Sequence, residues 1–222
     1  MVLPPRDPPP PRVEAHAQVA EATVGMGALH RHEVRMPKAG ALWVIATGLG
    51  RPRLWQYATR AALDGFEAGA ATSPTSALEG LKAGLADARR ALATAADALL
   101  EREPPDAALV ALVLEPASVH VACVGPMRAY LHRRGQTRRL TPRDEAERGL
   151  LESPAAIVHE GVRAGDLLML GSTSAFSTRA VGRVAAALQG DRHAPVESLA
   201  TLLTDPAAQA GVGAAAAVLR LL

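Results

Sequence analysis

A chain of 222 residues, 49% of them hydrophobic, is long enough to fill one core and short for two, so one domain is expected. The formal net charge of +2 comes from a slight arginine excess and no dense basic tract, which gives no support to nucleic-acid binding. Cys123 is the single cysteine, so an internal disulfide is excluded, and no apolar run approaches a membrane span; a soluble, cytoplasmic protein is the expectation.

Residues 1–12 are proline-rich and should sample polyproline II as a tail, with a PxxP ligand as the functional alternative. Residues 13–36 carry a weak pattern, within which 19–24 can form an edge strand. The apolar run 41–46 fits a central strand covered on both faces and ends in a Thr47-Gly48-Leu49-Gly50 turn. Apolar positions 54, 58, 61, 62 and 66 predict a helix over 54–70 packed on a sheet. The clearest helical signal follows. Leu78, Leu81, Leu85, Ala88, Leu92, Ala95 and Leu99 form one stripe, Ser76 and Glu79 make a capping-box pattern at its start, and Glu103-Pro104-Pro105 ends it.

Segments 107–114 and 118–124, joined by Glu115-Pro116-Ala117, predict a hairpin of core strands. Val119, Val121 and Cys123 alternate with His120 and Ala122, the period of a strand with one buried face. Gly125-Pro126 interrupts the run, because proline cannot donate to a ladder. The chain resumes extended at 128–132, turns at Arg133-Arg134-Gly135-Gln136 with glycine available for a positive φ, and returns at 137–140. These four segments predict an antiparallel meander. A strand over 162–174, helices over 175–188 and 196–203, and an apolar end at 214–222 complete the pattern.

The run Val124-Gly125-Pro126-Met127-Arg128-Ala129-Tyr130-Leu131, followed by Gly135 and Arg139-Leu140-Thr141, resembles the central V-G-D-S-R-A-Y motif of the metal-dependent serine/threonine phosphatases of type 2C, the PPM family. Val162 to Ser174 resembles that family's L-x-P-G-D-x-L-L-L-x-S-D-G segment, and Gly25 to Glu33 its opening G-x-x-R-x-x-N-E-D. The resemblance covers nearly all of 13–222 and implies an α/β fold of two stacked antiparallel sheets flanked by helices. It also implies a degenerate site. Ala28 stands where the family grips phosphate with arginine, and His32 and Glu33 stand within its acidic motif. Thr47 replaces the aspartate that bridges two metal ions, while Gly48 keeps the position that offers a carbonyl. Pro126 and Thr173 replace further aspartates, and Val212 the last one. Relative to the family, the segment 141–160 is short where catalytic members carry a flap and a helix.

A two-metal phosphatase needs several carboxylates around hard divalent ions, and these positions supply none beside Glu33. The expected function is therefore a pseudophosphatase: a protein-binding or regulatory module in phospho-signalling, without metal cofactor, engaging a kinase, a phosphoprotein or a phosphatase-like subunit. The alternative is an active phosphoprotein phosphatase using Mn²⁺ or Mg²⁺ in a rebuilt site, with Glu33, Asp144 and Asp166 as the nearby acids, or a hydrolase pairing His32 with Thr47, Ser172, Thr173 or Ser174. A purely structural subunit is a third option, with the helix over 76–100 as its exposed surface. His16, His30, His120, His132, His159 and His193 show no metal-ligand spacing, so a zinc site is not expected. The short Gly-x-Gly pairs lack a nucleotide fingerprint. Arg128, Arg133 and Arg139 belong to the main local charge group; they are candidates for an anion or partner contact, against the commoner role of protecting a sheet edge.

Overall fold

The structure, a computed structural model, describes residues 12–36, 42–72, 76–99, 101–143 and 147–222. Residues 1–11 of the proline-rich tail and Asp144 lie outside the described residues. Two antiparallel sheets are stacked face to face. One has the order β2 (Gly27–Leu29), β1 (Val13–Val24), β11 (Val212–Leu221), β10 (Leu167–Ser172), β7 (Met127–Arg133), β8 (Gln136–Arg139). The other has the order β3 (His32–Arg35), β4 (Leu42–Leu49), β5 (Asp106–Leu114), β6 (Ser118–Val124), β9 (Ala156–Gly161). Helices α1 (Trp55–Thr72) and α2 (Ala77–Asp97) cover the second sheet, and α3 (Thr178–Gly190) and α4 (Val196–Gln209) cover the first.

Three apolar layers follow from this α-β-β-α order. Trp43, Ile45, Val110, Val121, Met127, Leu131, Leu168 and Leu219 meet between the sheets. Val44, Leu109 and Ala122 turn to Phe66, Leu81, Leu85 and Leu92 of α1 and α2. Met169 and Val218 turn to Val184, Leu199 and Leu203 of α3 and α4. The central strands are therefore apolar on both faces, as doubly covered strands must be. The middle of the predicted α2 stripe is its buried face: Leu81, Leu85, Ala88 and Leu92 face the core, whereas Leu78 and Ala95 are half-buried, Ala96 is buried in place of Ala95, and Leu99 lies beyond the helix end. The Ser76 hydroxyl accepts from the Glu79 amide at 3.1 Å. The predicted hairpin loop is also present, with Arg134 and Gly135 both at positive φ, 51° and 79°.

The structure corrects several expectations. The four segments after residue 106 are not one meander. β5 and β6 pair in one sheet and β7 and β8 in the other, and the chain crosses between sheets at Gly125-Pro126. Gly125 holds φ of 73°, and a Cβ there would lie 2.3 Å from the Arg148 carbonyl oxygen, so the crossing needs glycine for conformation and for space. β6 buries both faces, since His120, Ala122 and Val124 pack towards α1 and α2 while Val119, Val121 and Cys123 pack between the sheets. β1 is longer than predicted and lies inside its sheet, with β2 at the edge. The segment 141–160 contributes β9 to the sheet edge. The Thr47-Gly48 turn is ladder, because β4 runs on to Leu49.

Candidate functional site

The signature segments meet where β3, β4, β7, β10 and β11 present one end of the sandwich. His32 on β3 is paired with Thr47 on β4, and alternation points both side chains between the sheets. They are 5% and 4% exposed, so they form the interior of this end and not an open wall. His32 Nδ1 lies 2.9 Å from Thr47 Oγ1, and the Thr47 hydroxyl donates to Met127 Sδ at 3.2 Å, linking the two sheets. Met127 is fully buried.

Around this link the remaining hydroxyls have partners. Thr173 donates its amide to the Pro126 carbonyl at 3.2 Å and its hydroxyl to the same oxygen. Ser172 Oγ accepts from the Ala215 amide at 3.1 Å and lies 2.9 Å from Ser174 Oγ. The Gly48 carbonyl accepts from Arg31 Nε at 3.2 Å, and the Arg31 guanidinium stacks over Trp55 at 5.0 Å. A Cβ on Gly48 would lie 2.6 Å from Trp55 Cα, so only glycine lets the strand pass this close to the start of α1.

His32 is held neutral. Burial is the largest cause, the neighbouring Arg31 charge adds to it, and the Gly213 backbone opposes both, leaving the imidazole pKa lowered to about 3. Its Nε2 is buried without a hydrogen-bond partner. The Gly213 backbone beside the ring brings the start of β11 to this end, while the Val212 side chain is 48% exposed on the strand's first residue, which pairs with Ala22.

Other predicted site residues are placed differently. Glu33 follows His32 and so points to the opposite face, where its carboxylate meets Arg35 at 2.8 Å; Arg35 also reaches Asp64 of α1 at 3.3 Å. Ala28 is an exposed member of the β1–β2 hairpin, opposite Thr23. Asp166 lies at the start of β10, remote from Ser172 at its end, and its carboxylate accepts from Arg133 Nε at 2.8 Å and from the Arg163 amide at 3.0 Å. The three arginines do not converge. Arg128 donates to the Phe176 carbonyl at 2.9 Å, Arg133 is taken by Asp166 and the Gly161 carbonyl, and Arg139 by Thr141 and the Pro142 carbonyl. Asp106 acts as a loop clamp, accepting from the amides of Ala107, Gly149 and Leu151; burial still leaves its carboxyl above the usual range.

Two features escaped the sequence. Met127 occupies the serine position of the family motif, but only the stacking of the sheets reveals that its sulfur joins Thr47. The second is a cluster of Glu115, His120 and His159, whose ligand atoms lie within 4.8 Å of one another. Histidines so far apart in the chain have no spacing signal; the register of β6 against β9 pairs them directly. Among the described residues this is the group of three or more histidine, cysteine or carboxylate side chains close enough to share a metal ion.

No protein-family model matches the chain, and no curated protein matches it in sequence. Solved structures do. The catalytic domain of the serine/threonine phosphatase PstP in complex with two manganese ions superposes with a TM-score of 0.79 at 19% identity, covering 95% of this chain and 98% of that one. PppA, described as a key regulatory component of the type VI secretion system in Pseudomonas aeruginosa, gives 0.76 at 19% identity over 96% and 99%. The SpoIIE phosphatase domain with a regulatory fragment, from Bacillus subtilis, gives 0.66 at 17% identity over 95% of this chain and 62% of that one. At these identities the likeness establishes architecture. The chain has the fold of the PPM-type serine/threonine phosphatases, two antiparallel sheets between two pairs of helices.

Proposed function

We propose that this chain is a catalytically inactive type 2C phosphatase-like domain that serves in the cytoplasm as a protein-binding or regulatory module in phospho-signalling. The observation that carries the proposal is the His32–Thr47–Met127 link between the sheets, closed beside it by Thr173 on the Pro126 carbonyl. Mn²⁺ and Mg²⁺ require shells of hard oxygen donors, several of them anionic. A thioether, a neutral imidazole, a proline and two threonines whose hydroxyls are engaged are a poor donor set for such ions. The nearest acid, Glu33, faces α1 with Arg35 as its partner. The residues present thus do not fit a pair of hard cations, and they give a metal-activated water no ligand shell from which to attack a phosphoester. What they provide is a cross-linked sandwich end with no carboxylates among these residues whose repulsion an ion would have to offset, and so one that preserves the shape of the scaffold for recognition. The partner would be a kinase, a phosphoprotein or a phosphatase-like subunit, engaged through the face that carries the substrate in the enzymes.

The test is calorimetric titration of the full chain with Mg²⁺, with hydrolysis of a generic phosphoester followed in Mg²⁺ and in Mn²⁺. No Mg²⁺ heat and no metal-dependent turnover is the expected result. Stoichiometric Mg²⁺ binding with turnover would restore the enzyme alternative.

A further inference from the structure

The turn between β5 and β6 and the edge strand β9 build a second polar site on the helix-covered face of the other sheet. Glu115 and Ser118 close the turn: the Glu115 amide donates to the Ser118 carbonyl at 2.9 Å, and the Ser118 hydroxyl donates to Glu115 Oε2 at 2.9 Å. The carboxylate is therefore fixed in direction before any ligand arrives. His120 and His159 are directly opposed on β6 and β9, so both imidazoles leave the same face, with ring centroids 4.7 Å apart. His120 Nε2 lies 3.2 Å from Glu115 Oε2.

His120 is buried, with 8% of its surface exposed, and its Nδ1 has no hydrogen-bond partner. A buried nitrogen without a partner is uncommon in a finished polar network, and no hydrogen bond at Nδ1 resists a turn of the ring. Beside the pair lies an open pocket of about 470 Å³ bounded by Leu78, Lys82, Ile157 and both histidines. The Lys82 ammonium, the cation facing this pocket from α2, is itself paired with Glu79 at 2.9 Å.

We propose that Glu115, His120 and His159 form a site for one borderline divalent transition-metal ion of the Zn²⁺ class. Two imidazoles and one carboxylate are a ligand set that such ions take with one position left over, and the pocket leaves that position to water or to a partner's side chain. The fixed carboxylate also meets the need for an oriented ligand shell. Nitrogen donors disfavour Mg²⁺, and the affinity order of the divalent first-row ions places Zn²⁺ above Mn²⁺ at such a site. Its location is separate as well: from His120 along β6 to Pro126 is about 20 Å at the rise of an extended chain. A bound ion would clip the edge strand β9 to the β5–β6 turn.

The experiment uses the full-length protein, chelated and then titrated with Zn²⁺ by calorimetry and with Co²⁺ by visible absorption. His159→Gln removes an exposed ligand whose loss leaves the fold intact, Glu115→Gln keeps the turn's shape while removing the charge, and His193→Gln serves as a surface-histidine control. The wild type should bind one ion in the low-micromolar range or tighter, with the intense visible band of a low-symmetry Co²⁺ site. His159→Gln and Glu115→Gln should each weaken binding by about tenfold or more, and His193→Gln should leave it unchanged. Wild-type affinity no better than that of His159→Gln, or an equal loss in His193→Gln, overturns the proposal.

Discussion

Burial of His32 makes the stability of this fold depend on pH in a way that one substitution isolates. The imidazole pKa is lowered from 6.5 to about 3, so the unfolded chain takes up a proton that the folded chain refuses. The stability contribution is complete above pH 6.5 and is lost as the pH falls towards 3. The whole interval corresponds to about 5 kcal/mol, of which about 2 kcal/mol is already lost at pH 5. At 5% exposure the ring is too deep for solvent to screen much of this. His32→Asn retains a polar atom near Thr47 and cannot gain a proton. Urea midpoints of both proteins between pH 8 and pH 5 give the comparison directly. Wild type should be the more stable at pH 8, and its advantage should shrink by about 2 kcal/mol at pH 5. Partly buried groups present in both proteins cancel: His132, which desolvation lowers, and Asp106, which desolvation raises. An advantage that stays constant over this range would refute the placement of a neutral His32 in the interior.

Three further substitutions test the same end and the opposite end of the sandwich. Thr47→Val removes the hydroxyl shared by His32 and Met127 and leaves Nδ1 buried without a partner, which should cost about 1–3 kcal/mol in a urea titration. Gly48→Ala places a methyl 2.6 Å from Trp55 Cα, where only movement of the helix start can make room; a loss of about 1–3 kcal/mol with reduced near-UV dichroism from Trp55 is expected. Asp166→Ala leaves Arg133 without its carboxylate and frees the Arg163 amide. Asp166 is nearly fully buried but Arg133 is about 29% exposed, so the loss should fall near the lower end of the range for broken buried pairs, about 3 kcal/mol.

Local chemistry was legible in the sequence wherever a segment carries its own reason for its shape. The α2 stripe, its Ser76 cap and the Arg134-Gly135 turn are such cases, since periodicity, capping and positive φ are properties of neighbours in the chain. The pairing of strands was less legible. Alternation tells that residues 118–124 form a strand but not which sheet receives the next one, so the crossing at Gly125-Pro126 reads locally as an interruption within a meander. Glu33 shows the same limit at one residue: its number places it beside His32, while the strand period sends it to the other side of the sheet. The meeting of Glu115, His120 and His159 depends entirely on the register of β9, which no local pattern encodes.

The two polar ends of this molecule should respond differently to metal, and that difference separates a scaffold from a metalloenzyme. Converging carboxylates repel one another until a cation arrives, so an enzyme of this architecture draws stability from its ions. On the proposed reading the corresponding end is joined through the uncharged side chains of His32, Thr47 and Met127, and a chelator would have nothing there to remove. Any metal dependence of stability should instead come from the β6–β9 edge. The wild-type melting temperature in Mg²⁺ should equal that in chelator, whereas Zn²⁺ should raise it, and the increase at the same Zn²⁺ concentration should be clearly smaller in His159→Gln. Stabilisation by Mg²⁺ that survives in His159→Gln would place a hard-cation site at the sandwich end and contradict the neutral, cross-linked interior built from His32, Thr47 and Met127.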